Sequence, residues 1–495
     1  MSIGQTEIRL SEEIQSRTPA EAIALIVYLH ERVEMLEVQN AELMAQNAAL
    51  GEQNAALGEQ NAALGEQNGA LEKRVLELEV RLNKNSTNSN KPPSSDSPYE
   101  EKPRVSREEA PPRGKRQGYG RESLEPTERH HVMPGRCTCG STEHEEPEAY
   151  HTHQVVELPE IKLIVEEYIL YKARCVGCGK MVKGEIPQEK RTGYGPRLSA
   201  VIVELTGVHG DSRRGAQEFL ESVLGLKVSQ GAIQKITNRA SEAIKPHYEA
   251  IGETARQAPV NHIDETSWKT NGSLRWLWTM TSTLVSFFMI HKHRSRAAFE
   301  ALIGTWEGIL VSDGYGLYRK WVNGRQSCLA HLIRRATGVS EHPDPDIAAV
   351  GARIKKELQL LCHMAKEPPG IKEWNAFYER LMLIFRLNGD CVDEAGKLVR
   401  QLMREVNSLW TFLDVQGVAP TNNAAERSLR FPVIYRKRCL GTRQECGERF
   451  VERILSLRQT CRINHQRTFP VLVDAFSAWL LRSSPDLSFI PSPTP

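Results

Sequence analysis

Leucine recurs every seventh residue from Leu29 through Leu36, Leu43, Leu50, Leu57, Leu64 and Leu71 to Leu78. An apolar period of seven, held for about eight heptads, requires a long helix whose narrow stripe meets another helix. With these leucines at d, the a positions are Ile26, Val33, Asn40, Asn47, Asn54, Asn61, Asn68, Val75 and Leu82. Asparagine at a favours a registered, two-stranded coil at a cost in stability. Gly51, Gly58 and Gly65 fall at e, each costing about 1 kcal/mol relative to alanine. The heptad GEQNAAL stands at 51–57 and again at 58–64, followed by GEQNGAL at 65–71. A slip of seven residues would preserve the asparagine pairs, so the flanks must pin the register. Residues 1–83 are expected to form an N-terminal helix and a weak zipper joining two copies of the chain.

A chain of 495 residues exceeds one ordinary core and implies several domains. The net charge of +2 hides an asymmetry: residues 1–83 hold 14 acids and 6 bases, whereas 425–467 hold 11 bases and 4 acids. A basic C-terminal segment points to a local anionic partner. No run of 18 apolar residues occurs, so no membrane span or membrane partner is expected. The start, MSIGQTEIRLSEEIQ, lacks a basic-then-apolar leader. Ten cysteines, scattered or in close pairs, read as reduced thiols or metal ligands of a soluble cytoplasmic protein.

Residues 84–120 are polar and proline-rich and are expected to form a disordered linker. In 121–185, CTCG (137–140) and CVGCG (175–179) flank two β-rich stretches broken at Leu158-Pro159-Glu160. This is the pattern of a zinc ribbon, with Cys137, Cys139, Cys175 and Cys178 as Zn²⁺ ligands. The first pair is one residue short of C-x-x-C, which leaves His144, His151 or His153 as substitute ligands. Residues 186–258 are expected to be a helical DNA-binding domain. Two helices within 211–244, broken at Leu224-Gly225-Leu226 and restarted by a Ser229 cap, fit a helix-turn-helix or an ordinary helical hairpin.

From 259 the pattern changes to three strands, a helix and a fourth strand. Asp264 falls on the first strand and Asp313 closes the fourth. That order is the order of an RNase H-like α/β sheet. Carboxylates at strand ends suit hard cations, and Glu426, in PTNNAAERSLRFPVIYRKRCLG (420–441), is placed to be the third acid on a helix. Arg427, Arg430, Arg436, Lys437 and Arg438 follow it as phosphate-contact candidates. Two Mg²⁺ or Mn²⁺ ions about 4 Å apart would serve an in-line displacement. Each acid also has a plainer reading: Asp313 as a turn residue, Asp264 as a loop cap, Glu426 as an i,i+4 partner of Arg430.

Taken together, these motifs resemble transposases of the insertion sequence 66 family. The coiled coil, NSTNSNKPPSSD (85–96), the cysteine pairs, HIDET (262–266), VSDGY (311–315) and TNNAAERSLR (421–430) occur in the family's order. The resemblance implies a DDE triad of Asp264, Asp313 and Glu426, and matches Cys328 and His331 of CLAH to a Cys-x-x-His of structural or proton-handling role. Asn422 and Asn423 would position backbone or DNA. It further implies a core in two parts, 259–340 and 419–482, separated by a helical insertion at 341–418 and followed by a tail, 483–495. The hairpin after the first acid is compact. The expected fold is multidomain α/β. The expected activity is metal-dependent cleavage and strand transfer of double-stranded DNA, at element ends and target. Small accessory proteins of the same element would be partners, in a bacterial, nucleoid-associated setting. The rival readings are a catalytically silent DNA-binding regulator, a nuclease of RNase H-like fold, and a coiled-coil scaffold.

Overall fold

The computed structural model describes residues 18–89, 91, 96 and 123–491. Residues 1–84 and 85–495 form two compact units. In the first, α1 (Pro19–Leu82) is one unbroken helix of 64 residues. Thr18 caps it, its backbone N–H donating to the Glu21 carboxylate at 3.0 Å, and Pro19 supplies a preset first turn. The d leucines are exposed, Leu36 at 49% and Leu57 at 55%. Nothing within 4 Å meets a methyl placed on Gly51, Gly58 or Gly65.

The second unit surrounds a mixed five-stranded sheet. A separate antiparallel hairpin, β1 (Lys172–Arg174) and β2 (Met181–Lys183), precedes it. Next come α2 (Pro196–Val203), α3 (Arg213–Leu224), α4 (Gln230–Ala243) and α5 (Lys245–Gln257). The sheet strands are β3 (Val260–Thr270), β4 (Ser273–Thr281), β5 (Ser286–His291), β6 (Ile309–Ser312) and β7 (Arg325–Ser327), with α6 (Arg296–Ile303) between β5 and β6. After them run α7 (Leu329–Ser340), α8 (Pro345–His363), α9 (Ile371–Asn388), α10 (Glu394–Glu405) and the one-turn α11 (Thr411–Asp414). The last helices are α12 (Asn423–Cys439), α13 (Glu445–Ile463) and α14 (Thr468–Leu481). The sheet order is β5-β4-β3-β6-β7. The first three strands form an antiparallel meander, whereas β6 and β7 run parallel to β3.

Alternation along the strands divides the core. Leu277, Phe288 and Ile290 meet Leu429 of α12 and Val451 of α13 on one face. Trp278, Met280 and Phe287 meet Ile251 of α5 and Phe299 and Leu302 of α6 on the other. The outer strand β5 finds its partner in a helix. The backbone amides of Ser286, Phe288 and Ile290 donate to the side chains of Thr460 (3.2 Å), Ser456 (2.9 Å) and Glu452 (2.6 Å) on α13. A four-residue helical spacing thus answers a two-residue strand spacing, and the edge is satisfied.

The α3–α4 hairpin forms as expected, with Ser212 and Ser229 each accepting from the third helical amide. Gly225 takes the left-handed φ of 64° that ends α3. The hairpin is not a separate core: Ala216, Leu220, Ile233 and Ile236 share one apolar cluster with Ile454, Leu472 and Phe476. The insertion helices α8, α9 and α10 build their own cluster, which reaches Val311 on β6 and Leu332 on α7.

Two expectations differ from the structure. The β-rich stretches at 151–171 form no strands. Strand propensity needs a cross-strand partner, and the pairing made is the short hairpin at 172–183. Within the expected linker, residues 85–89 are docked, not free. Asn88 donates to Glu341 at 2.7 Å, and its carbonyl lies where a side chain at Gly338 would stand. Asn side chains folding back on the local backbone, as Asn88 does on Asn85 N–H at 2.8 Å, give this segment its turn. The remainder of the expected disordered stretch, 90, 92–95 and 97–120, lies outside the described residues. Among the described residues, no helix is long and apolar enough to cross a membrane.

Candidate active site

The parallel register of β3 and β6 pairs His262 with Val311. Two residues further along each strand stand Asp264, part-way along β3, and Asp313, just past the end of β6, level with each other. Glu426 lies in the first turn of α12, and α12 crosses β3. Asp264 senses the other two acids. The Asp264 carboxyl is held well above the usual carboxylate range by burial and by the negative charges of Glu265, Asp313 and Glu426. The three acids do not close into a set with all ligand atoms within 4.8 Å. Asp313 also serves its turn: its carboxylate accepts from the Tyr315 amide at 2.9 Å.

Glu426 makes no ion pair with Arg430. It faces Arg334 at 3.4 Å and His331 Nδ1 at 3.6 Å, both from α7. Burial and the Arg334 charge lower the His331 pKa, and its Nδ1 has no hydrogen-bond partner. Cys328, His331 and Glu426 offer ligand atoms within 4.8 Å of one another, a group that could hold a metal ion. In the structure Cys328 has another task. Its Sγ accepts the Asn422 amide at 3.1 Å, and burial pushes the thiol up to about 11.

Asn422 is the hub of this corner. Fully buried, it donates to the Ile263 carbonyl at 2.9 Å and meets His262 Nδ1 at 3.2 Å. The residue beside Asp264 is thereby fixed to the N-terminus of the helix that carries Glu426. His262 is pushed down to about 4, chiefly by burial, and stays neutral.

The basic residues after Glu426 separate into two groups. Arg436 reaches Thr266 and Ser267 of β3, with Ser267 Oγ at 2.7 Å. Arg438 binds the His209 carbonyl at 3.0 Å and Asp211 at 2.7 Å. These two are struts between elements. Arg427, Arg430 and Lys437 are exposed and remain the candidates for an outside anion.

Residues missed in the sequence complete the site. Glu265, next to Asp264, is buried against Tyr318 and Arg294, the latter at 2.5 Å. Glu405 of α10, 1% exposed, binds Arg325 and Ser327 of β7 and lies 3.6 Å from Arg319. The adjacency of Glu265 to Asp264 and the helical spacing of Arg334 to His331 were visible signals; Glu405 had none.

The cysteine pairs do not converge. Cys137–Cys139 and Cys175–Cys178 form separate turns, in each of which the second cysteine's hydrogen bonds lower the first one's pKa. No three of the four come within 4.8 Å of one another. The strands that would have carried the two turns together are the unpaired stretch at 151–171. The four residues do not fit one Zn²⁺ here, and no step is derived through zinc.

Asp264 and Asp313 thus stand level on neighbouring parallel strands, with Glu426 at the start of α12 and exposed arginines after it. Residues 191–449 match the Transposase IS66 family, and this chain belongs to that family. Residues 16–125 match a family of unknown function, DUF6444. No curated protein matches the chain.

Proposed function

We propose that this chain is a DDE transposase of RNase H-like core that cuts and joins DNA at the ends of its element. The observation that carries the reading is the level placement of Asp264 and Asp313 on neighbouring parallel strands, with the charge of Glu426 felt at Asp264. Like charges crowded in a recess fit a divalent cation better than they fit each other. Asp264, Asp313 and Glu426 would hold two Mg²⁺ or Mn²⁺ ions, which supply Lewis acidity for attack by water or a 3′-hydroxyl. The protein's own groups do the rest. Asn422 and Cys328 hold the start of α12 against β3, and Arg334 sets the Glu426 carboxylate. Arg427, Arg430 and Lys437 meet the phosphodiester backbone. The exposed leucine stripe of α1 pairs two copies of the chain, which suits an enzyme that must hold two DNA ends. The α3–α4 hairpin, whose Gln230, Lys235 and Asn238 are exposed, is the candidate for duplex binding.

Strand transfer of a labelled element-end duplex into plasmid, in Mg²⁺ or Mn²⁺, tests the reading. Wild type is expected to join strands, and Glu426→Gln to bind DNA without joining. Joining by both proteins would sink the triad. Cleavage without joining would favour a nuclease, and binding without cleavage a silent regulator.

A further inference from the structure

Beside the acids lies a second feature that the triad does not use. A cavity of about 600 Å³ opens between the end of β6 and the insertion helix α10, lined by Asp313, Arg319, Arg335, Arg400, Gln401 and Arg404, among others. Arg400, Gln401 and Arg404 fall on one face of α10, at helical spacing. The cations here are not all balanced. Arg400 is spent on the carbonyls of Gly389 and Cys391, at 2.8 Å and 2.5 Å, and Arg319 leans on Glu405. Arg335 and Arg404 have no acidic partner among the described residues. Both line this one space, and burial together with the Arg404 charge lowers the Arg335 pKa. Two guanidinium groups converging on a partly enclosed space repel unless an anion stands between them.

A second observation concerns the same space. Gln401 is 6% exposed, and its amide oxygen has no hydrogen-bond donor. A buried amide oxygen left without a donor costs stability, and the side chain that carries it lines the cavity. The site therefore asks for a ligand with phosphate charge and an N–H or O–H donor. A nucleotide unit of a DNA strand has both.

We propose that this cavity seats the DNA strand next to the phosphate held by the acids, with Arg335 and Arg404 clamping one backbone phosphate and Gln401 accepting from the adjoining nucleotide. The insertion would then form the far wall of the substrate channel. This rests on the transposase reading above, because Asp313 belongs to both sites. Phosphate contacts carry no sequence information, so the test can use DNA of arbitrary sequence.

The test measures affinity by fluorescence anisotropy, with full-length protein, a labelled duplex bearing a single-stranded tail, Ca²⁺ in place of Mg²⁺, and a series of NaCl concentrations. Variants are the pair Arg335→Gln with Arg404→Gln, and Arg404→Glu alone. The double variant is expected to lower the slope of log affinity against log salt by about 0.7–0.9 for each phosphate contact removed. At fixed low salt its affinity should fall at least tenfold. Arg404→Glu should lose as much affinity while keeping its melting temperature, since the new carboxylate shares the cavity with Arg335. A steep wild-type slope that neither variant changes would overturn the clamp and leave the transposase reading standing. Wild-type binding indifferent to salt would overturn both.

Discussion

Glu452 offers the sharpest test of how the five-stranded sheet is held. Its carboxylate accepts the Ile290 amide at 2.6 Å on the outer strand, with Arg449 at 2.8 Å on its other side. Burial pushes its pKa from the ordinary 4.5 to about 7 despite that arginine. The sign follows from linkage. Between these two values the folded chain keeps a proton that the unfolded chain has lost, so stability is fully present below 4.5 and is lost as pH rises through about 7. The whole interval is worth about 3 kcal/mol, at about 1.36 kcal/mol per pH unit. Between pH 5 and pH 8.5, about 2.5 kcal/mol of it disappears. Glu452→Gln keeps an oxygen for the Ile290 amide and cannot ionise. Urea denaturation of both proteins at the two pH values isolates this group, because every other titration cancels in the difference. The variant is expected to gain about 2.5 kcal/mol relative to wild type on going from pH 5 to pH 8.5. A difference that stays flat, or moves against the variant, would show that Arg449 keeps the carboxylate ionised and that burial is not the dominant effect.

Three further outcomes follow from the geometry. Replacing Gly51, Gly58 and Gly65 together by alanine should stabilise α1 by about 1 kcal/mol per site, read as a higher melting temperature of the 222 nm circular dichroism signal; no rise would mean that the helix carries a constraint at those positions. Asn422→Ala orphans the Ile263 carbonyl and should cost about 2–4 kcal/mol and abolish strand transfer; wild-type stability would refute its role as a hub. Asp264→Asn removes one of the crowded charges, so in EDTA the variant should unfold at higher denaturant than wild type while losing strand transfer. Lower stability would show that the charges are already compensated within the protein.

Periodicity made much of this molecule legible. The seven-residue leucine spacing located α1, and apolar alternation located β3, β4 and β5, because both report burial on one face of a regular backbone. Asp264 and Asp313 were legible for a related reason: each follows apolar strand residues, Asp313 where the chain turns and Asp264 part-way along β3. What escaped were long-range pairings. Nothing near Glu426 announces Arg334, and nothing near β5 announces Thr460, Ser456 and Glu452, since helical side chains capping a strand leave no local pattern. Arg436 and Arg438 show the converse hazard, because a basic run looks uniform in sequence although two of its members are already engaged inside the protein. Cysteine spacing describes each of the two turns but not the distance between them.

The shared apolar cluster of α2, α3 and α4 with α13 and α14 has a consequence for synthesis. Residues 196–244 leave the ribosome some two hundred residues before the helices that finish their core. Contacts of such separation are slow to form and expose apolar surface while they wait. A nascent chain therefore carries its DNA-binding candidate and its first two acids without a completed scaffold for either. Glu426 arrives on the same late segment as the helices that finish the core, so a prematurely terminated product would lack both the third acid and the scaffold that the first two rest on.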